Sequence, residues 1–330
     1  MILTGHCIDV LATLPEQSVH TCVTSPPYWG LRDYGTEAVV WDDGWEGEIG
    51  QEPTPELFVQ HLVQVFRAVR RVLRDDGTLW VNLGDTYNTA GGADHRNGKS
   101  LGGQPRGGSQ ITMSVRARKA LKNAGVPSKS LIGIPWRFAI AMMSDGWILR
   151  QDIIWHKPNP MPESVTDRCT KAHEYVFLFA RQPRYFWDPS AMQEPAAWER
   201  WGKQTIVKPQ PGAGSWMVAK PIAELPVRDR KNRRSVWTVS NGGVPQAHFA
   251  TFPPDLIRPM ILASTRVGDT VLDPFSGAGT TVLVAEEQGR IGIGIEINPA
   301  YVAMSKRRIP LRLDLTSDAG ETVRVGSAQP

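Results

Sequence analysis

Val271–Thr281, VLDPFSGAGTT, constrains the fold of this chain more than any other stretch. A run of β-branched and aliphatic residues breaks at a glycine-rich turn, enters a helical pattern (TTVLVAEEQG) and is followed by a second strand-like run, RIGIGIE. Strand, turn, helix and strand in that order predict a parallel βαβ unit, and hence an α/β fold whose sheet is covered on both faces. Gly277 and Gly279 allow a tight turn and a close approach of backbone to ligand. Glu296 ends the second strand nineteen residues after Gly277, where a carboxylate accepts hydrogen bonds from ribose hydroxyls. A GxG alone is also met as a plain structural turn, so the pattern needs support from elsewhere in the chain.

The ligand class follows from what the turn contains. The dinucleotide fingerprint is not met, because Val282 stands three residues beyond Gly279 and Asp273 sits within the turn. A carboxylate repels a pyrophosphate and attracts a cation. S-adenosyl-L-methionine carries an ammonium and a sulfonium and no phosphate, so Asp273 favours it over NAD. Pro274, Phe275, Ser276 and Thr280 complete the turn. Asp9, read as the end of a first strand ILTGHCID, either accepts from an adenine amino group or caps the helix that follows.

The second constraint is TSPPYWG, Thr24–Gly30, at the end of a strand spanning Val19–Thr24. An exocyclic amino nitrogen of a base is a poor nucleophile because its lone pair is delocalised into the ring. Two acceptors for its hydrogens pull the nitrogen towards tetrahedral geometry and free that pair. Ser25 offers a hydroxyl oxygen and Pro26 a carbonyl; Pro26 and Pro27 fix the backbone and add no competing N–H. Tyr28 offers a ring face for a base rotated out of a duplex. The tetrapeptide read alone also serves as a rigid strand-ending turn.

Charge distribution points to a polyanion. The net charge is +4, but the segment 88–130 holds eight Lys or Arg residues and a single acid, Asp94, together with eight glycines. RDRKNRR, Arg228–Arg234, places five basic residues in seven. Arg96, Lys99, Arg106, Arg116 and Arg118 on the first segment, and Arg228, Arg230, Lys231, Arg233 and Arg234 on the second, are candidate nucleic-acid contacts, though either cluster alone also reads as a solvated surface. No run of 18 apolar residues suggests a membrane span, no secretory leader is visible, and Cys7, Cys22 and Cys169 form no CxxC pair. These features read as a cytoplasmic protein with no metal site.

Along the chain, helices are predicted from Thr54 (Thr54 as cap, Pro55 in the first turn, Leu57 to Leu73 at helical spacing), at 135–144 and at 254–264. A turn plus strand is predicted over DDGTLWVNLGD, ending at Asp85, and strands at 147–155 and over EYVFLFA. The predicted organisation is a catalytic part over 1–180, with 88–130 as a flexible basic loop. A recognition region at 181–247, a cofactor part at 248–314 and a polar tail at 315–330 follow.

The two motifs together resemble the β group of DNA amino-methyltransferases, in which a Ser/Asp/Asn-Pro-Pro-aromatic motif precedes the cofactor motif. Further matches are GHCIDVLATLP, HKPNPMPESVTDR, KAHEYVFLF and AHFATFPPDLI, and the resemblance covers most of residues 1–310. It implies a Rossmann-like S-adenosylmethionine-dependent methyltransferase fold with circularly permuted motif order and an inserted target-recognition region. It implies double-stranded DNA as partner and leaves a cognate restriction endonuclease and a homodimer open. Thr before Ser-Pro-Pro-Tyr is similar to the cytosine-N4 enzymes; adenine-N6 remains the alternative, with RNA or protein glutamine more remote. Carbon-5 methylation is disfavoured, since no cysteine follows a proline. The resemblance further implies that Thr24, His248, Phe249 and Phe252 flank the cofactor, Phe252 reading equally as plain core, and that Trp155, Lys157 and Asn159 line the base pocket, Lys157 as a DNA contact. His173 and Glu174 also match, and read as a satisfied core pair.

Overall fold

Thr54 opens the helix on which one face of the molecule is built. A computed structural model of the chain describes residues 1–30, 38–88, 125–160, 162–195, 230–241 and 252–309. In it the Thr54 side chain accepts from the Leu57 N–H at 3.2 Å and Pro55 takes the first position of the helix Pro55–Val72. Phe58, Leu62, Val65, Phe66 and Val69 form its apolar stripe and are fully buried. Each contributes about 1.5–3 kcal/mol by leaving water, an upper bound because the unfolded chain already buries some of this area. Arg70 and Arg71 complement the helix dipole at the far end, and Arg71 also donates to the carbonyls of Leu11 and Leu14, which end the preceding helix.

The strands in chain order are β1 (Ile2–Thr4), β2 (Val19–Thr24), β3 (Val39–Val40), β4 (Glu46–Gly47), β5 (Leu73–Leu83), β6 (Ile148–His156), β7 (His173–Ala180), β8 (Gln193–Pro195), β9 (Arg230–Asn232), β10 (Val236–Thr238), β11 (Thr270–Asp273) and β12 (Ile291–Glu296). The helices are α1 (Cys7–Thr13), α2 (Pro55–Val72), α3 (Ile134–Ser144), α4 (Pro254–Ser264), α5 (Thr280–Glu287) and α6 (Pro299–Arg308). Eight strands form the central sheet in the order β1-β12-β11-β2-β5-β7-β6-β10. All run parallel except β7, which is antiparallel to both neighbours. β3 with β4 and β8 with β9 make two small antiparallel ribbons.

Two apolar layers cover the sheet. One joins Leu11 of α1 and the stripe of α2 to Phe138 and Met142 of α3. The other joins Leu256, Ile257 and Met260 of α4 and Val284 of α5 to Val23, Trp80, Trp155 and Trp237. The Trp80 indole, buried in that layer, donates to Ser264 Oγ at 2.9 Å.

Several expectations meet differences. The first strand stops at Thr4, and Asp9 lies in the first turn of α1 with its side chain exposed, while His6 takes the N-cap position. The reason is local: Gly5, at φ +146, turns the chain and its N–H goes to Glu296 O. The expected turn at Asp75–Gly77 is instead absorbed into β5 as an irregularity, where Val19 pairs with Leu73 and Thr21 already pairs with Thr78. A Cβ on Gly77 would stand 2.9 Å from His20 O, so only glycine lets the two strands close up there. β10, from the segment read as a recognition region, pairs with β6 as the eighth strand of the main sheet. The ranges 135–144 and 254–264 are helical to within one residue.

Candidate active site

β2 and β11 are neighbours in the sheet although about 250 residues separate them in sequence. From β2 the chain crosses by α2 to β5 on one side; from β11 it crosses by α5 to β12 on the other. The order therefore reverses between β2 and β11, and the crevice beyond their carboxyl ends is the place where such sheets take ligands. TSPPY leaves β2 at that crevice and DPFSGAGTT leaves β11.

Asp273 ties the two motifs together. Thr24 Oγ1 donates to Asp273 Oδ1 at 2.6 Å, Thr281 Oγ1 donates to Oδ2 at 2.7 Å, and the Phe275 N–H donates to Oδ1 at 3.0 Å. All three side chains, Thr24, Asp273 and Thr281, are buried. Burial pushes the Asp273 carboxyl up to about 6, against the lowering effect of these three donors. The sequence places this carboxylate opposite a cation; the structure turns it inwards onto Thr24 and Thr281, because an unpaired carboxylate at a buried strand end would be costly. The Thr24 hydroxyl is likewise committed to Asp273.

The turn itself fits a nucleoside. Gly277 has φ +51 and nothing stands within 4 Å of where its Cβ would be. Glu296 Oε2 accepts from the Gly277 N–H at 2.8 Å and Oε1 from the Asn298 N–H at 2.8 Å, which fixes the carboxylate at the end of β12. Burial holds Glu296 above the usual carboxylate range. The buried Thr280 hydroxyl, at the start of α5, has no partner among the described residues. Gly279, in contrast, serves packing: at φ +77 its Cβ would stand 3.0 Å from Ser305 and Ile309. Ser276 packs on Gly294, whose own Cβ would lie within 2.8 Å of the Ser276 side chain. Phe252 belongs to the apolar layer with Leu256 and Trp80. Phe275 packs part-buried against the opposite layer.

On the catalytic side, Ser25 and Tyr28 are half-buried and Pro26 is buried. The far end of the motif is anchored: the Trp29 indole donates to Glu52 O at 3.0 Å and the Gly30 N–H to Gly50 O at 2.9 Å. Glu52, fully buried, bonds the Gly50 N–H at 2.7 Å and His61 Nδ1 at 2.9 Å, while His61 Nε2 meets Asp43 at 3.2 Å and its ring stacks on Trp41 at 4.0 Å. Nothing in the sequence marks Glu52 and His61 as partners of the motif, since one lies in a loop and the other on the buried face of α2.

Because β7 runs antiparallel, its first residues lie beside the last residues of β5 and β6. Glu174 thus meets Tyr28 and Asn82, and pairs with Lys157. The Lys157 ammonium also sits 4.3 Å over the Trp155 ring. Lys157, read as a DNA contact, is therefore partnered inside the site, and Glu174 is not paired with His173 but with groups from three other segments. Asp85 receives the Gly133 and Ile134 N–H groups at the start of α3, and the Lys171 ammonium, held below its usual range by burial, donates to Asp85 O. Asn82, Asp85 and Lys171 escape a reading of the sequence because only the strand order brings them here.

Of the basic candidates, Lys231 and Arg234 both pair with Glu194. Arg233 stacks on Trp237 at 4.1 Å. Arg230 lies exposed on β9. Arg96, Lys99, Arg106, Arg116, Arg118 and Arg228, with His248 and Phe249, lie outside the described residues. Cys7 and Cys22 are buried, and burial pushes the Cys7 thiol up to about 12, far from a reactive thiolate. Among the described residues no helix is long and apolar enough to cross a membrane.

Comparison with known proteins agrees with this geometry. The profile of a family described as DNA methylase, covering N6 and N4 methyltransferases, matches residues 19–307. Type II methyltransferase M.XycI of Xanthomonas campestris pv. cyanopsidis is 43% identical over 308 residues, covering 93% of this chain and 87% of that protein. The solved PvuII DNA methyltransferase (cytosine-N4-specific) superposes with a TM-score of 0.60 at 21% identity, over 94% of this chain and 86% of that one. A putative DNA modification methylase from Thermus thermophilus, complexed with S-adenosyl-L-methionine, gives a TM-score of 0.52 at 23% identity, over 93% of each chain. A match that runs from β2 to α6, spanning both strands at the crevice, identifies the chain as a member of the N6/N4 DNA methylase family.

Proposed function

We propose that the protein is a site-specific DNA methyltransferase that uses S-adenosyl-L-methionine and modifies cytosine at N4. The observation that carries the reading is the 2.6 Å bond from Thr24 to Asp273, which fixes Ser25 beside the turn that fits a nucleoside. When bound, the cofactor supplies an electrophilic methyl on sulfonium sulfur and needs no metal. Gly277 and Glu296 hold its nucleoside end. Ser25 and the Pro26 carbonyl would accept hydrogen bonds from the two hydrogens of the target amino group and so free its lone pair. The nitrogen, on taking the methyl and leaving S-adenosylhomocysteine, sheds one of those protons to water. Tyr28 receives the extruded base on its ring.

Cytosine is favoured over adenine by the serine at the head of the motif, and the cytosine-N4-specific enzyme with the same fold supports it. Single-molecule sequencing of DNA from cells expressing the chain is expected to show N4-methylcytosine at one fixed sequence, and none with Ser25→Ala. Methyl groups on adenine N6 at that site would replace the cytosine assignment; unmodified DNA would remove the reading altogether.

A further inference from the structure

The Tyr28 ring does not hold its place by packing alone. Gly84, just past β5, backs it: a Cβ there would stand 2.5 Å from Tyr28 Cε2 and 3.0 Å from Cδ2. The ring is therefore laid against bare backbone, and its hydroxyl reaches the end of β7. There it lies 2.7 Å from Glu174 Oε2 and 3.2 Å from Asn82 Oδ1. A phenol has one proton, and the shorter, charge-assisted bond takes it. Asn82 Nδ2 donates to the same carboxylate oxygen at 3.2 Å and to Tyr175 O at 3.1 Å, which sets the amide's orientation. Lys157 neutralises the other oxygen, with Glu174 only 16% and Lys157 only 17% exposed.

A carboxylate and an ammonium removed this far from water are costly to keep, and replacing such a pair by apolar side chains is often neutral or stabilising. Here the pair has a client, the Tyr28 ring of the catalytic motif. We propose that Glu174 is a positioning residue for the target base: it pins the Tyr28 hydroxyl, so the ring is already oriented when the base arrives, and Lys157 holds the carboxylate in place through its other oxygen. The inference rests on Tyr28 being the stacking platform. A preorganised platform avoids the loss that accompanies a reacting group displaced by about 1 Å, which reaches about 10²-fold.

The test is a double-mutant cycle on the full-length protein. Tritiated S-adenosyl-L-methionine and an unmodified duplex carrying the mapped site give kcat and the KM for DNA. Calorimetry with S-adenosylhomocysteine and thermal melting report folding. Glu174→Ala is expected to lower kcat about 10- to 100-fold while S-adenosylhomocysteine affinity stays within about twofold. Tyr28→Phe is expected to lower kcat similarly, and Glu174→Ala is then expected to add less than about twofold in the Tyr28→Phe background. Glu174→Gln keeps an acceptor for the Tyr28 hydroxyl, and is expected to retain at least about threefold more kcat than Glu174→Ala.

Full multiplicative losses in the cycle, or a Glu174→Gln variant as impaired as Glu174→Ala, would overturn the proposal. So would a Tyr28→Phe enzyme with unchanged kcat. Should Glu174→Ala fail to fold, the cycle run with Glu174→Gln and Tyr28→Phe decides it. Full activity in Tyr28→Ala would instead sink the platform reading itself, whatever Glu174 does.

Discussion

In the proposed mechanism Ser25 and Tyr28 carry separable parts of the chemistry, and substitutions should separate them. Ser25→Ala removes one of two acceptors and is expected to cost about 10²-fold in kcat, comparable with losing one donor from an oxyanion hole. Tyr28→Ala is expected to cost at least as much, with cofactor affinity unchanged in both; calorimetry and single-turnover methylation check this. Thr24→Val probes a different property. It strips the 2.6 Å donor from a buried carboxylate and should cost about 1–3 kcal/mol of stability in urea unfolding. The proposed roles of Ser25 and Tyr28 are legible in the sequence because the chemistry demands particular side chains in a short contiguous stretch. Glu174, Asn82 and Glu52 could not, because each is an ordinary polar residue until a neighbour from another segment is known.

The turn from β11 to α5 has its own pH dependence. Asp273, at about 6 in the folded protein, sits above the ordinary aspartate value of about 3.9 in an unfolded chain. Between those values the native state holds a proton that the unfolded state has released, so stability falls as pH rises through this window and the cost is complete above it. Asp273→Asn removes the titration. The stability of the parent relative to this variant is expected to fall by up to about 3 kcal/mol between about pH 4 and 7.5, and a flat difference would show that Asp273 does not titrate there. Elements with strong local signals, such as the capped stripe of α2 or the proline-started α4, match their predicted ranges. Asp75–Gly77 did not, since a turn signal was overridden by pairing with β2 before and after it, at Leu73 and at Thr78. Asp9 failed for a related reason: Gly5 turns the chain four residues earlier than the apolar run suggests.

The chain as a whole carries +4, and thirteen of its 37 Lys and Arg residues stand in the two basic segments 88–130 and 228–234. If these meet phosphates, affinity for duplex DNA should fall steeply with salt, by at least about tenfold between about 50 and 200 mM, as counterion release requires. Filter binding at several salt concentrations measures the slope, and a salt-independent affinity would exclude a role for them. The strand order determines what can assemble at the carboxyl edge: β2 beside β11 brings serine and cofactor turn together, and antiparallel β7 delivers Glu174. The sequence by itself determined the α/β class, the two motifs and the amino-group chemistry, because glycine turns, prolines and helical periodicity act within a few residues. Only the tertiary structure decided that Asp273 faces Thr24, that Lys157 neutralises Glu174 and that Glu174 holds Tyr28. Those contacts join segments far apart in the chain, and their geometry is set by strand order and register rather than by local sequence.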